Sequence, residues 1–284
     1  MVKLKYIEQI SDSVCFPKDV TENKRHLSKD EIAILKENGN TSSSEDWSNI
    51  LVSDEKDCFD PQLIRNSNFL GFIVLGRLKK AILRYHDLEV MTGIYNSNLI
   101  DVVTYDDVAI ENVKYLRNYR IGSRTILFNI QEMSCTNHSK FGNGWLKKGE
   151  SEDVRVWIGV GNENDGRAVL PFESMLPADA YLWSRRRSDK KLLERFVELT
   201  ENGNTKELNT YGVIDEDVVI KNTTLLKDTK VGKSAYIKGA FKLKNITILS
   251  SEQEESQIGE GVELVNGILG YGSRIFYQAV GVRF

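Results

Sequence analysis

Through the stretch "VIKNTTLLKDTKVGKSAYIKG", residues 219–239, aliphatic side chains return every five or six positions. That period belongs to neither a strand nor a helix. The aliphatic positions run Ile214, Ile220, Leu226, Val231, Ile237, Leu243 and then Ile248 or Leu249, so each has an equivalent 17 positions on. An earlier block, Ile94, Leu99, Tyr105, Ile110, Leu116, Ile121 and Leu127, keeps the rhythm, with Leu99 and Leu116 again 17 apart. A third, Ile258, Leu264, Leu269 or Gly270, and Ile275, closes on that interval. Three blocks sharing one interval make an internal repeat and argue against ordinary strands spaced alike by chance.

Three units of about six residues suit a chain wound as a triangular prism, each unit giving a short strand, a corner and one inward aliphatic residue. The fold class expected is therefore mainly β: a single-stranded left-handed parallel β-helix of hexapeptide repeats, with an N-terminal helical cap and a mixed loop and helix insertion. Left is the usual hand for such repeats, against the general right-handed crossover preference, although the period itself does not fix it. Gly122, Gly232 and Gly259 follow inward aliphatics, where a corner either leaves no room for a side chain or needs positive φ. One coil buries three aliphatics at roughly 1.5–3 kcal/mol each, while ordering its backbone costs about 1–2 kcal/mol per residue. Coils must therefore stack to be stable.

Residues 1–60 lack the repeat and are expected to cap the first coil. There "HLSKDEIAILKENGN" reads as a helix with a Ser28–Glu31 capping box and Gly39 as its stop. Coils follow over 61–130, an insertion over 131–210, and further coils over 211–284. The last, "GYGSRIFYQAVGVRF", stops in mid-rhythm, so the polypeptide is expected to continue or to have this edge covered by another chain. Within the insertion "VRVWIGV" is strand-like and "YLWSRRRSDKKLLERFVELTENG" reads as helix, with Leu192, Phe196 and Leu199 on one face and Gly203 as stop. A shorter solvent loop, "SSEQEESQ", occupies 250–257.

A net charge of -3 gives no general attraction for phosphate backbones or anionic lipid, so no nucleic-acid or membrane partner is expected. Cys15, Cys58 and Cys135 are odd in number and far apart, unsuited to a disulfide framework or a shared metal. No signal-like segment or membrane-length apolar run occurs, which points to the cytoplasm.

Candidate chemistry centres on three histidines. His138, in "SCTNHSKFGNG", lies on a long loop from which a general base could overhang a neighbouring groove; the bland alternative is a solvated loop residue. His86 has Asp87 beside it as an orienting carboxylate, but neighbours on a strand face opposite ways. His26 is structural or solvated. "GNENDGR", residues 161–167, fails the calcium-loop pattern and reads as a hairpin turn or as a polar site in which Glu163, Asn164 and Arg167 meet a sugar or phosphate. "SRRRSDKK", with Arg185, Arg186 and Arg187, is a solvated helix face or a clasp for phosphate or coenzyme A. Phosphate-loop, nucleophile-elbow and metalloprotease motifs are absent.

The strings "EVMTGIYNSNLI", "NVKYLRNYRIG", "FGNGWLKKGE", "VLPFESMLPADAYLWS", "YIKGAFKLKNITI" and "QIGEGVELVNGILGYGSRIFY" resemble an uncharacterised family of bacterial left-handed β-helix proteins, from about residue 20 to the end. Members are often labelled as related to UDP-N-acetylglucosamine pyrophosphorylase. The nucleotide loop G-x-G-T-[RK]-[LM] of true pyrophosphorylases is absent here, so the label reflects the shared β-helix. The resemblance implies further chain beyond residue 284, and suggests "YHDL", "NHSKFGNG" and "NENDGR" as signature segments without catalytic roles. In the wider hexapeptide superfamily, acyl-CoA donors and trimers with sites between subunits are common, so a homo-oligomer is expected by analogy of fold.

Two functions follow. In the first, the protein is transferase-like and acts on a sugar or sugar nucleotide, with acyl transfer from acyl-CoA as one option and the donor left open. His138 is then the base, Glu163 or Asn164 orients it or the acceptor, Arg167 with Arg185, Arg186 and Arg187 holds phosphate, and His86 with Asp87 contributes to substrate binding. In the second, it is a non-catalytic scaffold or sensor that binds a sugar nucleotide or a protein partner. A His138 facing a groove with Glu163 or Arg167 in reach favours the first; a solvated His138 favours the second.

Overall fold

The computed structural model describes residues 20–55, 58–160, 166–202, 205–208 and 210–284. Cys15, Glu163, Asn164 and Gly203 lie outside them. The aliphatic positions read from the repeat form one continuous core. Ile94, Leu99, Ile110, Leu116, Ile121, Leu127, Ile220, Leu226, Val231, Ile237 and Leu243 are all fully buried in it. Tyr105 departs from the expectation and is 43% exposed; Val102, within the strand before it, faces the core instead.

The 17-residue interval is the register of neighbouring parallel strands: Ile110 stands beside Leu127, Ile220 beside Ile237, and Leu226 beside Leu243. Where chain is added, the register is kept and the interval grows. Met133 stands beside Leu226, 93 residues on, 76 more than the interval. Leu243 pairs with Leu264, 21 on, and the four extra residues fall in the polar loop at 250–257.

The strands do not form the single-stranded left-handed β-helix expected from the repeat. They assemble into a 13-stranded sheet, an eight-stranded parallel sheet and two antiparallel hairpins. Six strands of the larger sheet close on themselves as a parallel barrel: Asn98–Thr104, Leu116–Arg117, Glu132–Ser134, Leu225–Val231, Gly212–Ile214 and Tyr119–Ile121, the last pairing back to the first. A period specifies which residues are neighbours; it is silent on how sheets close.

Closure comes from strands of seven residues, each long enough to take two short strands end to end. Asn98–Thr104 holds Leu116–Arg117 through Leu99 and Ile100, and Tyr119–Ile121 through Val103 and Thr104. Each seven-residue strand bends at its fourth position, where Gly71, Asp101, Asp228, Asn245 and Asn266 have φ of 66, 52, 56, 51 and 58°. Asn and Asp tolerate the left-handed region because their short side chains bond locally. Here they also bond between strands, Asn245 donating to Asn266 Oδ1 at 2.8 Å. Gly122, Gly232 and Gly259 serve close approach instead: a Cβ on Gly122 would lie 2.4 Å from the Asp215 carbonyl carbon.

The N-terminal helix forms as read. Helix α1, Lys29–Glu37, starts at a capping box in which Glu31 N donates to Ser28 Oγ at 3.2 Å and Ser28 N donates to Glu31 Oε2 at 2.7 Å. Gly39, at φ 78°, follows its end. The single helix expected late in the insertion is instead two, α2 (Pro177–Arg185) and α3 (Lys190–Glu201). Asp189 is the cause: its side chain accepts from Leu192 N at 3.1 Å and caps a new helix. The two pack through Trp183 stacked on Phe196, ring centroids 5.0 Å apart, while Leu199 is 42% exposed. Among the described residues no helix is long and apolar enough to cross a membrane.

Candidate ligand pocket where the insertion leaves the sheet

Inward Leu116, Met133, Leu226 and Leu243 alternate with outward neighbours, because successive residues on a strand face opposite ways. The residues that follow them, Arg117, Ser134, Lys227 and Lys244, therefore form one outward row in register. The chain leaves the sheet after Ser134 and returns at Gly212, so the row is walled on one side by the start of the insertion. Between them lies a pocket of about 350 Å³ lined by Arg117, Asn118, Glu132, Ser134, Asn137 and Lys227, among others.

Two buried atoms on this wall have no hydrogen-bond partner, Arg117 Nε and Asn118 Oδ1. A buried donor or acceptor left unpaired costs about 1–3 kcal/mol, and such a group calls for a specific explanation. One is a strong cationic donor and the other an acceptor. Two neighbouring groups are engaged: Asn118 Nδ2 donates to the Cys135 carbonyl at 3.0 Å, and Ser134 Oγ to Glu132 Oε1 at 2.9 Å. With Arg117, Lys227 and Glu132 the pocket carries a net positive charge.

The wall behind it is fixed by partly buried polar contacts. Thr136 N donates to Asp228 Oδ1 at 2.6 Å, and Lys147 Nζ donates to Thr210 Oγ1 at 2.7 Å and to the Glu207 carbonyl at 3.0 Å. Burial lowers the Lys147 pKa. Cys135 donates to the Thr210 carbonyl, and burial with nearby Asp228 pushes its thiol up to about 12. A thiol so held is not a nucleophile at neutral pH. The "FGNG" turn clips the insertion to the sheet further on: Gly142 N donates to Asn245 Oδ1 at 2.9 Å, and Thr247 Oγ1 to the Phe141 carbonyl at 2.7 Å.

The residues picked out from the sequence are scattered. The His138 side chain is 59% exposed, with Nδ1 3.1 Å from Glu150 Oε1, a partner the sequence reading did not name. Glu150 is half-buried and also accepts from Lys140 Nζ and Lys147 N, both at 2.9 Å. Burial pushes its pKa up, but these bonds outweigh it and the net shift is downward. His86 and Asp87 are not on a strand. They form the exposed two-residue turn of a hairpin, Ile82–Tyr85 with Leu88–Met91, and His86 takes φ 54°. Arg167 is half-buried beside a second hairpin, and its carbonyl accepts from Val160 N. Arg185 and Arg186 end α2 in solvent. Glu163 and Asn164 lie outside the described residues.

None of these lines the pocket. Its own residues carried a readable signal: Arg117 and Ser134 follow inward positions 17 apart, and Lys227 follows Leu226, an inward position of the later block. Among the described residues no three His, Cys, Asp or Glu side chains converge as a metal site would require.

A family profile described as "Domain of unknown function (DUF4954)" matches residues 24–282. An uncharacterized protein of Treponema pallidum (strain Nichols) is 46% identical over 253 residues, which cover 89% of this chain and 34% of that relative. The chain thus spans about a third of the length of the curated relative it matches. No solved structure matches.

Proposed function

Because the chain belongs to the DUF4954 family, whose description carries no activity, we propose from the geometry alone that it is a binding module for a phosphate-bearing sugar, such as a sugar nucleotide. The observation that carries this reading is the pair of unpartnered buried atoms, Arg117 Nε and Asn118 Oδ1, on two residues that line one small pocket with Lys227. A guanidinium suits a phosphoryl oxygen, and an amide oxygen suits a sugar hydroxyl. Small ligands favour pockets with a few convergent polar groups. Neither the exposed His138 nor the Cys135 thiol, whose pKa is raised, supports a catalytic role at this pocket.

The test is thermal denaturation with sugar phosphates and nucleoside diphosphate sugars, since a ligand that binds only the native state raises its melting temperature. The reading expects a rise that Arg117→Gln removes. A rise that survives Arg117→Gln, or none with any compound, contradicts it.

A second reading, acyl transfer from acyl-CoA with His138 as base, is favoured by the Glu150 contact. With a proton on Nδ1 facing that carboxylate, Nε2 is left to accept one from an acceptor hydroxyl. It expects release of free coenzyme A thiol from acetyl-CoA and a sugar acceptor, lost in His138→Ala. No release by the wild-type protein contradicts it.

A further inference from the structure

Lysines crowd residues 219–244, and their partners separate them into two groups. Lys230 pairs with Glu173 at 2.8 Å, Lys233 with Glu216 at 2.9 Å and Lys238 with Glu260 at 2.6 Å. Lys221 lies over the Tyr236 ring, and Lys242 stands in register beside Glu263. Lys227 and Lys244 differ. They are in register with each other, and among the described residues neither makes an ion pair. Like charges directly opposite on neighbouring strands are destabilising, so this pairing calls for an anion from outside the chain.

The pair continues the row that begins at Arg117. Ser134 separates Arg117 from Lys227 and adds no charge, and beyond Lys244 the row passes to Val265. Three cationic positions therefore share one outward row that contains no carboxylate; Glu132 and Glu263 belong to the parallel row two residues away. At a strand spacing of about 4.8 Å the row from Arg117 to Lys244 spans about 14 Å, more than a single phosphate can bridge.

We propose that the pocket is one end of a longer anion track, and that its ligand carries at least two linked phosphoryl groups laid across the strands from Arg117 toward Lys244. This rests on the phosphate-binding reading of the pocket and extends it. The linked phosphates belong either to a nucleotide or to a free condensed phosphate, and both present the same chain of acceptor oxygens to the row.

Isothermal titration at one fixed salt concentration tests it, with orthophosphate, pyrophosphate, tripolyphosphate and a nucleoside diphosphate sugar as probes on wild type, Arg117→Gln and Lys244→Gln. Tripolyphosphate is expected to bind wild type about tenfold more tightly than orthophosphate. Lys244→Gln, an exposed change, should shrink that advantage to about twofold while leaving orthophosphate binding alone. Tighter binding of the nucleotide sugar than of pyrophosphate assigns the phosphoryl groups to a nucleotide, and the reverse order to a free condensed phosphate; both support the track. Equal affinity for short and long anions, or an advantage untouched by Lys244→Gln, overturns it; if Arg117→Gln still abolishes binding, the pocket reading stands alone. Equal binding of all anions by wild type and Arg117→Gln overturns both.

Discussion

The Tyr119 hydroxyl lies 2.8 Å from the Thr229 hydroxyl, 110 positions further along the chain, and accepts from Thr229 N at 3.2 Å. Both residues are buried, on strands of the closed barrel that are separated by Gly212–Ile214. Tyr119→Phe removes the acceptor for Thr229 N and the partner of its hydroxyl. The expected loss is about 1–3 kcal/mol of stability, measured by urea denaturation; an unchanged midpoint contradicts it.

Gly212 is the residue that lets this bond form. A Cβ there would lie 2.3 Å from Tyr119 Cε1, inside a core with no room to yield. Gly212→Ala is expected to destabilise by about 1–3 kcal/mol through overpacking. It should cost little further stability in a Tyr119→Ala background, where the ring is gone. Equal penalties in both backgrounds count against the contact as the cause.

The Arg25 guanidinium holds the Glu31 carboxyl down to about 2, from an ordinary value of 4.5, helped against burial by the Ser28 cap. A depressed folded-state pKa gives stability that is present above the unfolded value and lost as pH falls through the folded one. The stability gap between wild type and Glu31→Gln should therefore be constant above pH about 5 and close between about 4.5 and 2. Calorimetric melting across that range checks it; a gap that widens on acidification contradicts the pairing.

Cys135 is buried and its thiol is pushed up to about 12 by burial and Asp228. The thiolate is the reactive form. Peptide mass spectrometry after maleimide treatment at pH 8 should find Cys135 unmodified in the native protein and modified in urea. Rapid native labelling would mean that the wall behind the pocket opens.

The core was legible in the sequence because burial repeats: Leu226 and Leu243 are inward for the same reason and 17 positions apart. The closure of the sheets was not. It depends on seven-residue strands bent at Asp101, Asp228, Asn245 and Asn266, polar residues that lie between the repeating aliphatics and take no part in the period. The break between α2 and α3 was hidden because Asp189 sits among charges that fit a helix face equally well. Site reading failed for a related reason. His138 and Arg185 attracted attention as chemical types on long inserted segments, whereas Arg117 and Lys227 are ordinary charged residues in strands and acquire meaning only from register. Within each block the outward positions could have been read by carrying the 17-residue interval one position past each core residue, but the 93-residue step from Ser134 to Lys227 needed the structure.

Crystals of the protein soaked with a nucleoside diphosphate sugar test the central claim most directly. The account predicts a phosphoryl oxygen within about 3 Å of Arg117 Nε, the Lys227 ammonium on the same anion and a ligand hydroxyl donating to Asn118 Oδ1. A pocket still empty at saturating ligand, with Arg117 turned to a protein acceptor, would contradict it.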